Sequence, residues 1–405
     1  MPAEPLRIYE YGTARVGWSE ATRSAVAQAA DGWRDAQSLP QSPLSFGGVD
    51  GCTMAALQYV GVIEAGGVCV EIYPKLDKAL IEDGAVDDQR ARTVMGNLIW
   101  LLEESGFGGL VDAGEASVEQ SPEAISDLLA WLYARRLLGQ LARGGPHEYV
   151  SRSDDLPLVR GRIQFARQAT SLFSRPDIVA CEWDEFSPDT PLARILRCAA
   201  EVLLARTRLP GAAADLRDAV ARFDETESIR AKEALSDAAS IRWSRLNARW
   251  RPCYELAIAA LNGLGRELHA GDTESFVFLL DMNSLFEKYC ARWLEGKFGV
   301  VVSEQEPIGY LLQSPNRRRQ DPDLQWRHDG TIWVGDAKYK RRRDIDWPDI
   351  PDLRQLICYG RLAEQAHSAR SRLVLLYPTT SAEDAETLMT FENQTLKLQA
   401  VRIVR

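Results

Sequence analysis

The hydrophobic and polar positions along the chain predict strands and helices at both ends and a mainly helical middle. Near the N-terminus, short apolar runs indicate strands, and apolar residues at helical spacing indicate helices between and after them. Gly66-Gly67 separates two apolar runs and predicts a hairpin. The predicted elements of this part are strands at 6–10 and within 54–75, and helices near 19–37, 88–105 and 122–141.

The second half begins with alanine-rich amphipathic runs over 194–265, which predict further helices without a catalytic cluster. The last part of the chain returns to alternating strands and helices. Ser284 is placed to cap a helix, another helix is predicted at 352–365, and apolar strands follow at 372–377 and 396–404. Strands joined by helical crossovers are typical of an α/β unit. The whole chain is therefore predicted to be a mixed α/β protein.

A second hairpin is predicted by Asp329-Gly330, which lies between aromatic and β-branched runs. If these two residues form the turn, Asp323 faces Asp336 across the two strands. The Cβ atoms of directly opposed residues lie about 4.5–5.5 Å apart. Lys338 follows Asp336 by two residues and therefore shares its face of the strand. The local pattern predicts two carboxylates and one ammonium group in one place.

This acidic pair is unfavourable without a cation. Two carboxylates about 5 Å apart repel by roughly 3 kcal/mol at an effective dielectric constant of about 20. Oxygen ligands suit Mg²⁺, and a metal ion with a nearby lysine suits hydrolysis of phosphodiester bonds. The alternative is a solvated hairpin whose acids and lysine only keep it soluble. The apolar run at 331–335 favours the metal site, because Asp336 then ends a buried strand, where a free carboxylate is costly.

Length and composition limit the remaining possibilities. The 405 residues are enough for two or three domains, and the formal charge of −10 argues against histone-like wrapping of nucleic acid. The seven cysteines include no C-x-x-C pair, which argues against zinc and disulfides and predicts a cytoplasmic protein. The sequence shows no signal-peptide pattern, no apolar run long enough to cross a bilayer, and no P-loop or dinucleotide fingerprint.

Several motifs resemble those of a known family. Pro322-Asp323 followed by Asp336-Ala-Lys338 resembles the PD-(D/E)xK nuclease motif. The longer Asp336-Ala-Lys-Tyr-Lys340, with Asp352, Gln355 and Tyr359 after it, is similar to the McrC subunit of McrBC-type modified-cytosine restriction systems. The other similar segments are Val70-Glu-Ile-Tyr-Pro-Lys75, His147-Glu-Tyr149, Leu158-Val-Arg-Gly-Arg-Ile-Gln164 and Met282-Asn-Ser-Leu-Phe-Glu287. One departure is Leu192-Ala193, where many McrC proteins carry an asparagine.

The resemblance implies an endonuclease subunit that cuts double-stranded DNA while bound to a ring of an AAA+ GTPase of the McrB type. It implies Mg²⁺ as the cofactor, with Mn²⁺ as a substitute, and Asp323 and Asp336 as metal ligands beside the charge-stabilising Lys338. Glu287, from the first helix of such a nuclease core, would help at the metal. Gln355 and Tyr359, one above the other on a helix, would support the site.

Basic residues lie on both sides of the predicted hairpin. Their side chains predict affinity for the DNA backbone, because lysine and arginine bind phosphate without sequence preference. A charge run is also typical of a solvated loop. The residues are Arg317, Arg318 and Arg319 before the hairpin and Lys340, Arg341, Arg342 and Arg343 after it.

Arg160 and Arg162 flank Gly161 in a separate predicted turn. One interpretation is a turn that faces solvent. The other is an arginine presented to the nucleotide phosphates of a partner, where a guanidinium supplied in trans accelerates phosphoryl transfer.

The predicted division of the chain is a partner-binding domain over 1–155, a mainly helical connector over 156–274 and a PD-(D/E)xK nuclease domain over 275–405. Two other functions stay open beside the nuclease subunit. One is a catalytically silent assembly factor that activates the partner's NTPase. The other is a nuclease that acts without a partner.

Overall fold

The computed structural model of the protein describes residues 4–48, 51–77, 85–107, 122–170, 172, 174–175, 177–263, 275–310, 319–340, 349–367, 370–381, 386–391 and 394–404. Contacts group the chain into two compact units. The first unit contains Met1–Leu128 together with Gly263–Arg405, and the second contains Leu129–Asn262. The two ends of the chain therefore share one unit, whereas the sequence predicted three consecutive segments, whose functional roles stay a prediction.

The N-terminal part of the first unit follows the predicted pattern of strands around a helix. Ser19 caps the first helix through a hydrogen bond from the backbone N–H of Thr22 to its hydroxyl, at 3.1 Å. The elements are β1 (Leu6–Tyr9), β2 (Thr13–Arg15), α1 (Glu20–Ala36), β3 (Leu44–Gly47), β4 (Thr53–Ala56), β5 (Tyr59–Ala65), β6 (Val68–Tyr73), α2 (Asp88–Glu104) and a 3-10 turn at Ile125–Asp127.

The second unit combines a helical cluster with a small sheet that the sequence did not predict. Its strands pair in the order β7-β9-β8, and β7 runs across residue 155, where a domain boundary was predicted. The elements are α3 (Leu128–Leu141), β7 (Glu148–Leu156), β8 (Arg162–Ile163), α4 (Phe165–Thr170), β9 (Val179–Ser187), α5 (Pro191–Arg206), α6 (Pro210–Ala221), α7 (Ala231–Ala238) and α8 (Arg251–Gly263).

The C-terminal part of the first unit is an α/β layer. The predicted hairpin and both predicted strands are present, and the helix predicted at 352–365 spans two more residues at each end. The elements are β10 (Phe276–Asp281), α9 (Met282–Phe298), β11 (Val302–Glu304), β12 (Gly309–Tyr310), β13 (Arg319–Gln320), β14 (Leu324–His328), β15 (Thr331–Ala337), α10 (Ile350–His367), β16 (Ser371–Thr379), β17 (Glu386–Phe391) and β18 (Gln394–Arg402).

A four-stranded sheet joins the two ends of the chain, in the order β1-β6-β5-β10. The predicted hairpin between β5 and β6 is present, with Gly66 and Gly67 in left-handed conformations at its turn. β10 pairs antiparallel with β5, from Phe276 opposite Glu64 to Asp281 opposite Tyr59. This strand ends directly at α9, so the sheet fixes where that helix begins.

The second large sheet has six strands in the order β11-β14-β15-β16-β18-β17. β15 and β16 are parallel, and α10 is the crossover between them. Ile332 and Val334 of β15 pack with Leu356 and Tyr359 of α10 in a buried cluster. Because side chains alternate between the two faces of a strand, Asp336 follows Val334 on the same face. This packing places Asp336 at the end of the apolar core.

None of the helices in the described ranges combines the length and the apolar character that a bilayer crossing requires.

Candidate active site

The hairpin that carries the candidate site has the predicted turn and the predicted register. Asp329 and Gly330 both have positive φ, at 48° and 73°, which is the conformation of a tight hairpin turn that Asp-Gly favours. The strands pair from His328 opposite Thr331 to Leu324 opposite Gly335. The next position along each strand is Asp323 on one side and Asp336 on the other.

Asp336 is completely buried at the end of β15. The ammonium Nζ of Lys338 lies 2.8 Å from its Oδ2, while its Oδ1 has no hydrogen-bond donor among the described residues. Burial, and then the charge of Asp323, raise the pKa of Asp336, and Lys338 opposes the shift. A buried carboxylate with an open oxygen is costly unless a cation or a proton satisfies it.

Asp323 faces the same place from the neighbouring chain segment. Its Oδ2 accepts a hydrogen bond from the backbone N–H of Ala337, at 2.8 Å. Its charge contributes to the raised pKa of Asp336. Burial lowers the pKa of Lys338, but the charges of Asp336, Asp323 and Asp352 outweigh burial and raise it. The predicted group of two carboxylates and one ammonium is therefore present.

Glu287 projects from α9 toward this group and is half-buried. Burial, and then the charge of Asp323, raise the pKa of Glu287 to about 7. The helix that carries it is capped by Asp281, whose carboxylate accepts a hydrogen bond from the backbone N–H of Asn283 at 2.9 Å. The predicted cap at Ser284 is wrong, because Ser284 already lies inside the helix, where its backbone N–H is in the first turn.

Gln305 was not predicted from the sequence and links two of the acids. Its side-chain amide donates a hydrogen bond to Glu287 Oε2 at 3.3 Å, and its backbone N–H donates to the Asp323 carbonyl at 3.1 Å. Its φ of 49° is unusual for a residue other than glycine. No motif or spacing in the sequence distinguishes this glutamine, because its partners come from distant elements.

Gln355 and Tyr359 lie on one face of α10, as predicted. The Gln355 side-chain amide donates a hydrogen bond to the Tyr359 hydroxyl at 2.7 Å. Burial raises the pKa of Tyr359, and the charges of Asp336 and Asp323 add to the shift. Tyr359 therefore lies close enough to the acidic pair for the two carboxylates to affect its hydroxyl electrostatically.

The basic residues near the hairpin are only partly described. Arg319 pairs with Asp321 at 2.6 Å, and Lys340 Nζ lies 2.7 Å from Asp352 Oδ2 and 3.2 Å from Asp349 Oδ2. Both cations are exposed, but Asp352 is buried, so only the pairs of Arg319 with Asp321 and of Lys340 with Asp349 are surface pairs that contribute little stability. Arg317, Arg318, Arg341, Arg342 and Arg343 lie outside the described residues.

Arg160 and Arg162 belong to the second unit and are exposed. Arg162 pairs with Glu182 at 2.8 Å, and Arg160 pairs with Glu185 at 3.4 Å while its guanidinium lies over the Trp183 ring. The turn is therefore accessible, and its arginines already have acidic neighbours within the chain.

Tyr339 connects this site to the beginning of the chain, and the sequence did not predict the connection. It follows Lys338 directly, and its hydroxyl donates a hydrogen bond to Glu10 Oε1 at 2.7 Å. The same oxygen accepts the backbone N–H of Lys75 at 2.8 Å. Burial raises the pKa of Glu10 to about 7, against the opposing hydrogen bonds from Lys75 and Tyr339.

The carboxylate oxygens at this site suit a hard cation that keeps several of its waters. Across the described residues, no three histidine, cysteine or acidic side chains are grouped closely enough to hold a metal by themselves. Mg²⁺ usually keeps several waters and takes only one or two carboxylates from a protein. Asp323 and Asp336 fit this pattern, and the open Oδ1 of Asp336 is an available ligand. Glu287 Oε2 accepts a hydrogen bond from the Gln305 side-chain amide.

Comparison with known proteins adds to this geometry. Residues 54–378 match the family described as McrBC 5-methylcytosine restriction system component. The chain belongs to this family. No curated protein matches the chain at a significant level. The McrC resemblance of the sequence motifs is thereby confirmed, and so is the mixed α/β class.

Two solved structures are similar in fold to this McrC-family chain. One is a half-complex from a tetradecameric assembly of Thermococcus gammatolerans McrB AAA+ hexamers with bound McrC, with 21% identity, a TM-score of 0.65 and coverage of 98% of this chain and 94% of that chain. The other is the Thermococcus gammatolerans McrBC complex, with 20% identity, a TM-score of 0.50 and coverage of 72% and 87%. The shared fold extends over nearly the whole chain in the first of these matches.

Proposed function

We propose that the protein is the DNA endonuclease subunit of a modification-dependent restriction system, that it uses Mg²⁺, and that it stimulates a partner AAA+ GTPase. The observation that carries the proposal is the buried Asp336 carboxylate, with one oxygen open and Lys338 at 2.8 Å. This arrangement is expensive for stability. A bound cation, which contacts the phosphate diester during cleavage, would offset the cost of burying this carboxylate.

Asp323 and Asp336 would hold the ion, which supplies Lewis acidity and lowers the pKa of water when it is bound; Mn²⁺ could replace Mg²⁺ there. Lys338 keeps its proton, because its pKa is raised, and can stabilise negative charge that develops on the phosphate. Glu287, with a pKa near 7, can hold or release a proton at neutral pH and would help at the metal. Gln355 and Tyr359, which are hydrogen-bonded to each other on α10, would support the acids, whose charges help to raise the pKa of Tyr359.

DNA would reach the site along the basic residues around the hairpin. Arg319 and Lys340 are exposed beside it, where a phosphate can replace their surface partners Asp321 and Asp349 while Lys340 keeps its pair with the buried Asp352. The neighbouring Arg317, Arg318, Arg341, Arg342 and Arg343 complete the proposed DNA-binding set. The protein's net charge of −10 makes such a local patch necessary, because the remaining surface repels DNA.

The partner is proposed to be a ring of an AAA+ GTPase, since the similar Thermococcus gammatolerans half-complex contains McrB AAA+ hexamers with bound McrC. Arg160 and Arg162 are proposed to act on its nucleotide, because both are exposed on one turn. Both pair with exposed or half-buried carboxylates, Glu185 and Glu182, which a phosphate can replace.

The two other functions are less well supported. A silent assembly factor would not need the buried Asp336 and Lys338 pair, which could be replaced by apolar residues without loss of stability. A nuclease that acts without a partner would leave the second unit, Leu129–Asn262, without a role in the reaction.

The decisive experiment incubates the protein with its AAA+ partner, GTP, Mg²⁺ and double-stranded DNA that is methylated or unmodified. Asp336→Asn removes one charge at constant shape and should abolish cutting while GTPase stimulation persists. Asp329→Asn is the matched control, because it makes the same charge change at the exposed turn of the same hairpin, where asparagine also accepts positive φ. Cutting by Asp336→Asn at the wild-type rate would contradict the nuclease proposal.

A further inference from the structure

A buried hydrogen-bond junction joins the four-stranded sheet β1-β6-β5-β10, called the N-terminal sheet below, to the segment that carries Lys338. Glu10 follows β1, and its backbone N–H donates to the Tyr73 carbonyl at 2.9 Å. Its Oε1 accepts both the Lys75 backbone N–H at 2.8 Å and the Tyr339 hydroxyl at 2.7 Å. One carboxylate oxygen therefore holds the ends of two strands and the residue next to Lys338.

The junction is built from groups that are expensive to bury. Glu10 is 0% exposed and Tyr339 is 6% exposed. The second carboxylate oxygen of Glu10, Oε2, has no hydrogen-bond partner among the described residues. An apolar residue would fill such a position at lower cost, because a buried carboxylate loses its hydration. What the carboxylate adds is directional bonding, which fixes the Tyr339 hydroxyl in one place.

Tyr339 transmits this position to both sides of the candidate site. Its backbone follows Lys338, whose own N–H donates to the Leu376 carbonyl at 2.9 Å. Its ring packs against Phe286, with 5.8 Å between the ring centroids. Phe286 precedes Glu287 on α9. A shift of the Tyr339 hydroxyl would therefore move the strand end that carries Lys338 and the helix that carries Glu287.

We propose that Glu10 is a positioning residue for the cleavage site, acting through the Tyr339 hydroxyl. The Glu10 carboxylate holds Lys338 and Glu287 in register with the acidic pair and couples the N-terminal sheet to DNA cleavage. The inference rests on the proposed nuclease function. It also explains the Pro74-Lys75 motif, because the Lys75 N–H orients the carboxylate.

The test uses the full chain with its AAA+ partner, GTP, Mg²⁺ and methylated double-stranded DNA. Tyr339→Phe removes the hydroxyl that donates to Glu10 Oε1. The matched control is Tyr9→Phe, because Tyr9 is equally buried at 6% and donates to Asp77 Oδ2 at 2.8 Å, whereas its hydroxyl has no bond to the described residues 336–340. Three quantities are measured for each variant: the single-turnover cleavage rate at saturating DNA, the DNA dissociation constant, and the GTPase stimulation.

We expect Tyr339→Phe to lower the single-turnover rate roughly tenfold, as loss of a supporting hydrogen bond does at other metal sites, with DNA affinity and GTPase stimulation unchanged. Glu10→Ala should give the same loss, and the double variant no further loss. Glu10→Gln keeps a carbonyl acceptor and should recover most of the rate. Tyr9→Phe should cut at the wild-type rate. A rate for Tyr339→Phe equal to that of Tyr9→Phe would overturn the proposal.

Hydrogen exchange of residues 336–340 separates this proposal from the nuclease assignment. We expect exchange there to be faster in Tyr339→Phe than in Tyr9→Phe, whether or not the protein cuts DNA. Equal exchange in the two variants would overturn the proposed positioning role, while an inactive Asp336→Asn would still support the nuclease. A wild-type protein that does not cut would end the nuclease proposal, and exchange alone would then decide whether Glu10 holds the segment.

Discussion

The Asp323 carboxylate accepts a hydrogen bond from the backbone N–H of Ala337 at 2.8 Å, and Ala337 follows Asp336 on the neighbouring strand. This bond fixes one acid on the backbone that carries the other. It also occupies only one oxygen of Asp323, so the second can serve another partner. The acidic pair is held together by a hydrogen bond to the main chain as well as by the register of the strands.

Asp323→Asn should separate the structural role of this side chain from its charge. The amide oxygen can still accept the Ala337 N–H, so we expect the free energy of unfolding to stay within about 1 kcal/mol of wild type or to rise, because repulsion of Asp336 is relieved. Cleavage should fall by roughly 100-fold or more, because the proposed cation would lose one of its two anionic ligands. Urea unfolding and single-turnover cleavage measure the two effects. A fall in stability with unchanged cleavage would contradict this prediction.

Gln305 hydrogen-bonds Glu287 from a left-handed backbone conformation that is unfavourable for a residue other than glycine. Gln305→Gly removes the amide that bonds Glu287 but accepts a φ of 49° without strain, so we expect stability equal to or above wild type and a several-fold lower cleavage rate. Gln305→Ala removes the same bond and keeps the unfavourable φ, at about 1 kcal/mol relative to glycine. Comparing the two variants separates strain from the Glu287 contact. Equal cleavage by wild type and Gln305→Gly would show that the contact is dispensable.

Lys338→Met should leave Asp336 buried without its positive partner. Breaking a buried pair from one side is costly, so we expect the free energy of unfolding to fall by roughly 3 kcal/mol and DNA cleavage to be lost. Lys338→Arg keeps the charge beside Asp336 and should recover most of the stability, with reduced cleavage because a guanidinium places its donors differently. GTPase stimulation by both variants is the control, and its loss would point to misfolding.

Glu10 should give the protein a pH-dependent stability. Its folded-state pKa of about 7 lies above the ordinary value of 4.5, because burial disfavours the charge; Asp281 adds to the shift and Lys75 opposes it. The raised pKa of Glu10 adds to the free energy of unfolding. This contribution is complete below about pH 4.5 and is lost as the pH rises through 7. Between pH 5 and 8, wild type should therefore lose roughly 2–3 kcal/mol relative to Glu10→Gln. Urea unfolding of both proteins across that range gives the difference, and a flat difference would refute the assignment.

Arg160 and Arg162 can be tested without disturbing the first unit. If either guanidinium acts on the partner's nucleotide, Arg160→Ala or Arg162→Ala should lower GTPase stimulation, by up to about 1,000-fold for a catalytic arginine. Glu182→Gln is the control for Arg162, because it removes the charge that pairs with Arg162 at 2.8 Å, keeps a carbonyl acceptor for the neighbouring Ser151 and Gln164, and should leave stimulation intact. Stimulation that is unchanged in both arginine variants would remove these residues from the mechanism.

The sequence by itself determined the local parts of the candidate site. The Asp-Gly turn sets which residues oppose each other on the hairpin, so Asp323 and Asp336 follow from the chain as written. Helical spacing in the same way places Gln355 against Tyr359. Both predictions depend only on backbone geometry within a few residues, which local sequence controls.

Tertiary structure alone decided which distant segments meet. β10 pairs with β5 rather than with the six-stranded sheet that contains β14 and β15. Gln305 hydrogen-bonds Glu287, and Glu10 accepts a hydrogen bond from Tyr339, 329 positions away. None of these contacts has a period or a motif in the sequence. Which segments meet depends on which apolar faces pack together. Hydrophobic burial is non-directional, so a local sequence pattern shows that a face is buried but not which distant segment covers it.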